Sequence, residues 1–121
     1  MAEAVNEFVA SQGFPPSAAH KMNLALEELL TNTISYGFES GSRHVVKIKL
    51  AADESELIGE IIDDGAPFNP LNKPDPDVNL PVEERPIGGL GILFVKKLMD
   101  SVKYRRDGDL NIVTLTKKNE E

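Results

Sequence analysis

The sequence predicts an α+β fold, a two-layer sandwich with helices covering one face of a mostly antiparallel sheet. Three observations carry that prediction. Three stretches place apolar residues at helical spacing, the longest ending near Tyr36. Four short segments read as strands, in two adjacent pairs. The elements follow in the order helix, helix, strand, strand, long loop, helix, strand, strand.

The first helix is expected from Glu3 to about Ser11, with Val5, Phe8 and Val9 at helical spacing. Gly13 and the Pro15-Pro16 pair stop it, and Ser17 is the expected N-cap of the next. That second helix, Ala18 to Tyr36, carries Met22, Leu26, Leu30 and Ile34 as one apolar stripe. Leu24, Ala25 and Leu29 add apolar surface beside it, which predicts burial on more than one side. Gly37 supplies the stop. Val46, Ile48 and Leu50 alternate with Lys47 and Lys49, a strand with one buried face. A polar turn over residues 52–56 leads into a second strand, Leu57 to Ile62. From Asp63 to Pro86 no regular period holds, and Pro67, Pro70, Pro74, Pro76, Pro81 and Pro86 punctuate the stretch; a loop this long in a small domain is functional or disordered. Gly88-Gly89-Leu90-Gly91 ends it and opens a helix expected to turn Leu90, Phe94, Val95 and Leu98 inward and Lys96 and Lys97 outward. Strands Val102–Arg106 and Leu110–Thr116 close a hairpin around Asp107-Gly108-Asp109.

Composition bounds the function. The 121 residues are 40% hydrophobic and 27% charged, which reads as one globular domain over 1–121. No run approaches the roughly 20 apolar residues that cross a bilayer. The N-terminus lacks the pattern of a secretory signal. Cysteine is absent, so disulfides and thiolate metal sites are excluded, in keeping with a cytoplasmic location. A net charge of −7, with Arg105-Arg106 as the one adjacent arginine pair, argues against direct nucleic-acid binding. An anionic ligand would have to be held by backbone dipoles or a metal.

Three places carry residues suited to chemistry. Glu28 and Asn32 are four apart on the second helix and share a face roughly opposite the Leu26–Leu30 stripe. They are either a wet stripe or the lining of a cleft. Asp63 and Asp64 leave the second strand with opposite parity, so at most one faces a given pocket. Asp63 shares the parity of Ile61, and its burial would require hydrogen bonds. GGLG before a helix allows close backbone approach and offers free N–H groups to phosphate. It matches neither a Walker A loop nor a dinucleotide fingerprint. Each place alone has a plainer reading, as a solvated face, a strand-end turn and a flexible hinge.

In order, E-x-x-x-N on a helix, D-x-G after a strand and G-x-G opening a later helix resemble the GHKL ATPase superfamily, the Bergerat fold. LEELLTNTISYGF, DDGAPFNP and RPIGGLGILFVKKLMDSVKYRR are similar to its stand-alone branch of anti-sigma factors and serine-protein kinases. The similarity runs from about Met1 to Lys118.

The resemblance implies roles. Asn32 would bind the Mg²⁺ that bridges the ATP phosphates, and Glu28 would be the general base. Asp63 would accept a hydrogen bond from the adenine amino group, with Gly65 turning the chain beneath the base and Asp64 in water. Gly89 and Gly91 match the phosphate-binding glycines. Residues from about Leu71 to Ile87 would form a long ATP lid, with Arg85 the nearest candidate for a γ-phosphate or partner contact. Asn111 stands where many relatives carry a threonine near adenine. The implied activity is an ATP-dependent protein serine/threonine kinase acting as an anti-sigma factor in partner switching. Its partners would be a STAS-type anti-sigma-factor antagonist, a sigma factor or both. Relatives carry a strand before the first helix, so a missing N-terminal strand is expected here, which leaves family-type homodimerisation an open expectation. Two other functions compete. One is a nucleotide-gated module that sequesters a regulator without phosphorylating it, which would not need Glu28. The other is the ATP-binding part of a histidine kinase, against which stands the lack of a helical hairpin with a phosphoacceptor His.

Overall fold

The computed structural model describes residues 1–36, 45–72 and 89–119. Its elements are α1 (Ala2–Ser11), α2 (Pro16–Tyr36), β1 (Val46–Ala52), β2 (Glu56–Asp63), a 3-10 turn (Pro70–Asn72), α3 (Gly89–Leu98), β3 (Ser101–Asp107) and β4 (Leu110–Lys118). The four strands form one sheet in the order β1-β2-β4-β3, and every neighbouring pair is antiparallel. The α+β architecture, the element order and both hairpins are as expected. Most of the expected lid, Arg85 included, lies outside the described residues, as does Gly88.

Local chemistry explains the boundaries. After α1 the Gly13 N–H donates to Ala10 O and the Phe14 N–H to Val9 O, at 3.1 and 3.2 Å. This is a Schellman stop, with Gly13 at a φ of +80° and the buried Val9 and Phe14 as its apolar contact. The helix α2 starts before the expected Ala18, so Ser17 lies within its first turn and is not the N-cap. Pro16 opens the helix instead: its fixed φ suits that position and its missing N–H has no helical partner to lose. The β1–β2 turn is narrower than expected. In it Asp53 Oδ1 accepts the Ser55 and Glu56 N–H groups at 2.7 and 2.8 Å and the Ser55 hydroxyl at 2.9 Å. Those bonds, led by the Ser55 N–H, hold the Asp53 carboxyl below the usual range. Gly108, at a φ of +57°, turns the β3–β4 hairpin.

Alternation along β2 is regular: Leu57, Gly59, Ile61 and Asp63 are buried and their neighbours are not. The residues opposite them on β4 are Lys117, Leu115, Val113 and Asn111. This face meets Met22, Ala25, Leu26 and Leu29 of α2 together with Ile92 and Val95 of α3 in one apolar core. At Gly59 the helix comes so close that an added Cβ would sit 2.9 Å from Met22 Sδ. Leu29 and Ala25 are as fully enclosed as Leu26, so α2 is buried on more than one side. The inward stripe of α3 differs from expectation. Phe94 is 46% exposed, while Ile92, Val95 and Met99 are buried. Nearly every position from Leu90 to Val95 is apolar, so spacing alone left the inward side ambiguous; packing against α2 selects Ile92 and Val95.

The layout puts the last turns of α2, the first turn of α3 and the Asp63 end of β2 in the described scaffold.

Candidate nucleotide site

One half of the site sits on the helices. Asn32 is 2% exposed, and its Nδ2 donates to the carbonyl oxygen of Glu28, one turn earlier, at 2.9 Å. A longer contact, 3.5 Å, reaches the Glu28 carboxylate at Oε2. Because Nδ2 faces acceptors, the amide orientation is set, and Oδ1 points elsewhere. That buried oxygen has no hydrogen-bond partner among the described residues. An unpaired buried amide oxygen costs about 1–3 kcal/mol; those of Asn23 and Asn119 are unpaired too, and what sets Asn32 apart is its contact with Glu28.

Glu28 is half-buried, and its carboxylate lies directly against Gly91 in the first turn of α3. A Cβ built at position 91 would stand 2.5 Å from both Cδ and Oε2 of Glu28. Only glycine leaves the carboxylate where it is. Glu28 also lines a cleft of about 270 Å³ with Leu24, Glu27, Thr31 and the exposed Phe94. Gly89 is the first residue of α3, at the end whose N–H groups have no intrahelical acceptor. The structure thus brings Glu28, Asn32 and Gly91 together, with Gly89 one half-turn away along the chain.

The other half sits at the strand ends. Asp63 is 5% exposed and faces the helical layer, while Asp64 is exposed and accepts the Val45 N–H at 3.4 Å. Asp63 Oδ1 accepts two donors, the Gly65 N–H at 2.9 Å and Asn111 Nδ2 at 3.0 Å. The Asn111 carboxamide, directly across the β2–β4 ladder, is 2% exposed and fully engaged. Its Nδ2 also donates to Ala66 O at 2.9 Å and, more weakly, to Gly65 O at 3.4 Å. Its Oδ1 accepts the Phe68 N–H at 3.2 Å and the Tyr104 hydroxyl at 2.6 Å. Arg106 adds a bond from Nη1 to Gly65 O at 2.8 Å. The segment after Asp63 is therefore tied to β4 and β3 at every turn.

Tyr104 and Arg106 were missed by reasoning from sequence. Hairpin register held the signal: with the turn at Gly108-Asp109, Arg106 must face Asn111 and Tyr104 must face Val113. Arg105, its neighbour in the arginine pair, turns to the other face, 3.9 Å from Glu60.

Among the described residues no group of three His, Cys, Asp or Glu side chains could cage a metal ion. Asn32 fits a different arrangement. Its orphaned oxygen suits a hard cation that takes one protein oxygen and completes its shell with water and phosphate. A groove of about 830 Å³ between α1 and α2, lined by Val9, Phe14, Ala19 and Asn23 among others, shares Leu24 and Glu27 with the cleft beside Glu28 but is not lined by Glu28, Asn32 or Gly91. At the Glu28–Asn32–Gly91 cluster, by contrast, polar groups converge.

Residues 1–117 match the family model of the histidine kinase-like ATPase domain. The chain belongs to this family. Among curated relatives of the ATPase domain, serine-protein kinase RsbW of Listeria monocytogenes is 26% identical over 113 residues, covering 90% of this chain and 72% of the relative. Serine/threonine-protein kinase BtrW of Bordetella bronchiseptica is 26% identical over 95 residues, covering 78% and 67%. The histidine kinase domain of the blue-light activated histidine kinase from Erythrobacter litoralis superposes with a TM-score of 0.62 at 20% identity, over 98% of this chain. That match spans 57% of the solved domain, and it shows the fold. Acinetobacter baumannii histidine kinase AdeS gives 0.56 at 17% identity, over 85% of this chain and 48% of the other. Membership of an ATPase family implies ATP as the ligand. No described helix is long and apolar enough to cross a membrane.

Proposed function

We propose that this ATPase domain is a protein serine/threonine kinase that uses Mg²⁺-ATP and acts as an anti-sigma factor in a partner-switching system. Its phosphoacceptor would be a STAS-type antagonist protein, and a sigma factor would be the partner it sequesters. The reading draws on the kinases named among the relatives and on the sequence resemblance. One observation carries it above all: the Glu28 carboxylate lies between Asn32 and Gly91, beside an oxygen that lacks a partner among the described residues.

Each residue's part follows from its chemistry. Asn32 would offer Oδ1 as the one protein oxygen to the metal. Bound Mg²⁺ supplies charge neutralisation on phosphate oxygens. The glycines at 89 and 91 would let the backbone close on the phosphates, and the first turn of α3 would present N–H groups to them. Asp63 Oδ2 would accept the adenine amino group, with Gly65 bringing the chain under the base. Glu28 would take the proton from a serine or threonine hydroxyl as its oxygen bonds to the γ-phosphorus and the bond to the ADP oxygen breaks. Phosphoryl transfer rests mainly on positioning and charge. An acidic protein can therefore do it with one metal and backbone donors.

The test separates nucleotide binding from transfer. Glu28→Gln keeps the side chain's size and its contact with Gly91 but cannot take a proton. It is expected to bind Mg²⁺-ATP like the native protein and to lose about 100-fold or more of transfer to the antagonist, within the usual range for a general base. Full transfer by Glu28→Gln would remove Glu28 as the base. Absence of transfer by the native protein, with nucleotide-dependent capture of the regulator, would leave a gated binding module.

A further inference from the structure

Folding leaves Phe94 uncovered: it is 46% exposed, whereas Ile92, Val95 and Met99 beside it on α3 are buried. It stands one turn beyond Gly91, on the face of α3 that meets the Glu28 carboxylate. Leu24, half-buried, stands one turn before Glu28 on α2. These two apolar residues, with Glu27, Glu28 and Thr31, line one cleft of about 270 Å³. The Thr31 hydroxyl donates back to the Glu27 carbonyl oxygen at 2.9 Å, so its one donor is spent within the helix. Among the described residues that line the cleft, the charged groups are the carboxylates of Glu27 and Glu28. Phe94 also borders a second hollow, of about 470 Å³, with Gly91, Leu93 and Lys97, so its ring is open to a partner.

We propose that this cleft selects the phosphoacceptor: it receives the protein segment that carries the reacting hydroxyl, with Phe94 and Leu24 holding an apolar side chain beside that hydroxyl and Glu27 meeting a basic one. This rests on the reading of Glu28 as the base of a protein kinase. A hydroxyl must come within about 3 Å of the Glu28 carboxylate to give up its proton. One helical turn along α2 or α3 is about 5.4 Å, and an extended chain advances about 3.3 Å per residue. The residue about one or two positions from the acceptor hydroxyl therefore lies beside Leu24 and Phe94. An apolar side chain there covers the Phe94 ring. The paired carboxylates repel an acidic neighbour and attract a lysine or arginine. Phe94 does not touch the reacting atoms; it is a specificity-determining residue.

Initial rates of label transfer from γ-labelled ATP to the STAS-type antagonist, measured on the full chain against antagonist concentration, test this. Phe94→Ala should raise the KM for the antagonist by about tenfold or more, with kcat within about twofold and Mg²⁺-ATP affinity unchanged, the pattern of lost acceptor binding. Phe94→Leu keeps an apolar side chain and should bring KM back to within about threefold of the native value. Glu27→Lys should raise KM by about tenfold at low salt and by less at high salt. Alanine in place of the antagonist's apolar residues next to its acceptor hydroxyl should raise KM with the native kinase and add little with Phe94→Ala, because the two changes remove one contact. An unchanged KM in Phe94→Ala, or fully additive losses in the pair, would overturn the proposal. A fall in kcat alone would also overturn it, leaving Phe94 a support for Glu28. Absence of transfer from the native protein to the antagonist would instead overturn the kinase reading, and the proposal with it.

Discussion

The helical and strand halves of the site hold asparagines that are equally buried and oppositely bonded. Asn111 makes bonds through both ends of its amide, to Asp63, Ala66, Phe68 and Tyr104. Asn32 uses one end only and leaves its oxygen without a partner among the described residues. Buried oxygens of this kind are few, those of Asn23 and Asn119 being the others among the described residues. The strand half is finished by folding and would recognise a ligand by shape and polarity. The helical half is left incomplete, so the ligand would have to supply what folding does not.

Substitutions can break this contrast. The largest expected effect is on chemistry: Glu28→Gln should cut phosphoryl transfer by about 100-fold or more with nucleotide affinity retained, measured by label transfer from γ-labelled ATP. The contrast itself is tested on stability. Asn111→Leu strands the Phe68 N–H and the Ala66 carbonyl, and should cost about 1–3 kcal/mol in urea unfolding. Asn32→Leu removes an unsatisfied oxygen and loses one bond to a carbonyl, so it should change stability by about 1 kcal/mol or less. Equal losses would erase the distinction. Next comes Gly91→Ala, whose methyl meets the end of a flexible Glu28 side chain. It should change stability by about 1 kcal/mol or less, the helix propensity gained offsetting the shift of the Glu28 side chain, and reduce transfer because the carboxylate is displaced.

The smallest effect lies remote from the site. Asp100 Oδ2 accepts the Lys118 N–H at 2.7 Å and Lys117 Nζ at 3.2 Å, and the Lys118 bond above all holds its carboxyl below the usual range. A carboxyl lowered on folding adds stability that is fully present above its unfolded pKa, near 3.8, and is lost as pH falls through the folded value. Asp100→Asn should therefore flatten part of the acid limb of the stability–pH curve, checked by urea midpoints from pH 6 down to pH 2, and a limb unchanged in slope would count against the bond's role.

Much of this was legible in the sequence because periodicity and punctuation act locally. Alternation through Ile61 put Asp63 on the core side and Asp64 in water, as the structure has it. The spacing of Glu28 and Asn32 on one helix gave their contact directly. What was not legible depended on contacts between elements. The inward side of α3 could not be told from a run of consecutive apolar residues, and Phe94 was placed wrongly for that reason. Pro16 begins α2 because a proline suits a first turn, which outweighed the capping preference of Ser17. The Tyr104–Asn111–Asp63 chain joins residues that are 48 positions apart at its widest bond, and no local pattern announces it.

Asn32 Oδ1, without a partner among the described residues, is the proposed metal ligand of the ATP site. Calorimetric titration of ATP, with and without Mg²⁺, into the native protein and into Asn32→Leu tests it most directly. Mg²⁺ should tighten ATP binding by about tenfold or more in the native protein, some 1.4 kcal/mol, and should add nothing of that size in Asn32→Leu. An equal gain from Mg²⁺ in both proteins would contradict the claim.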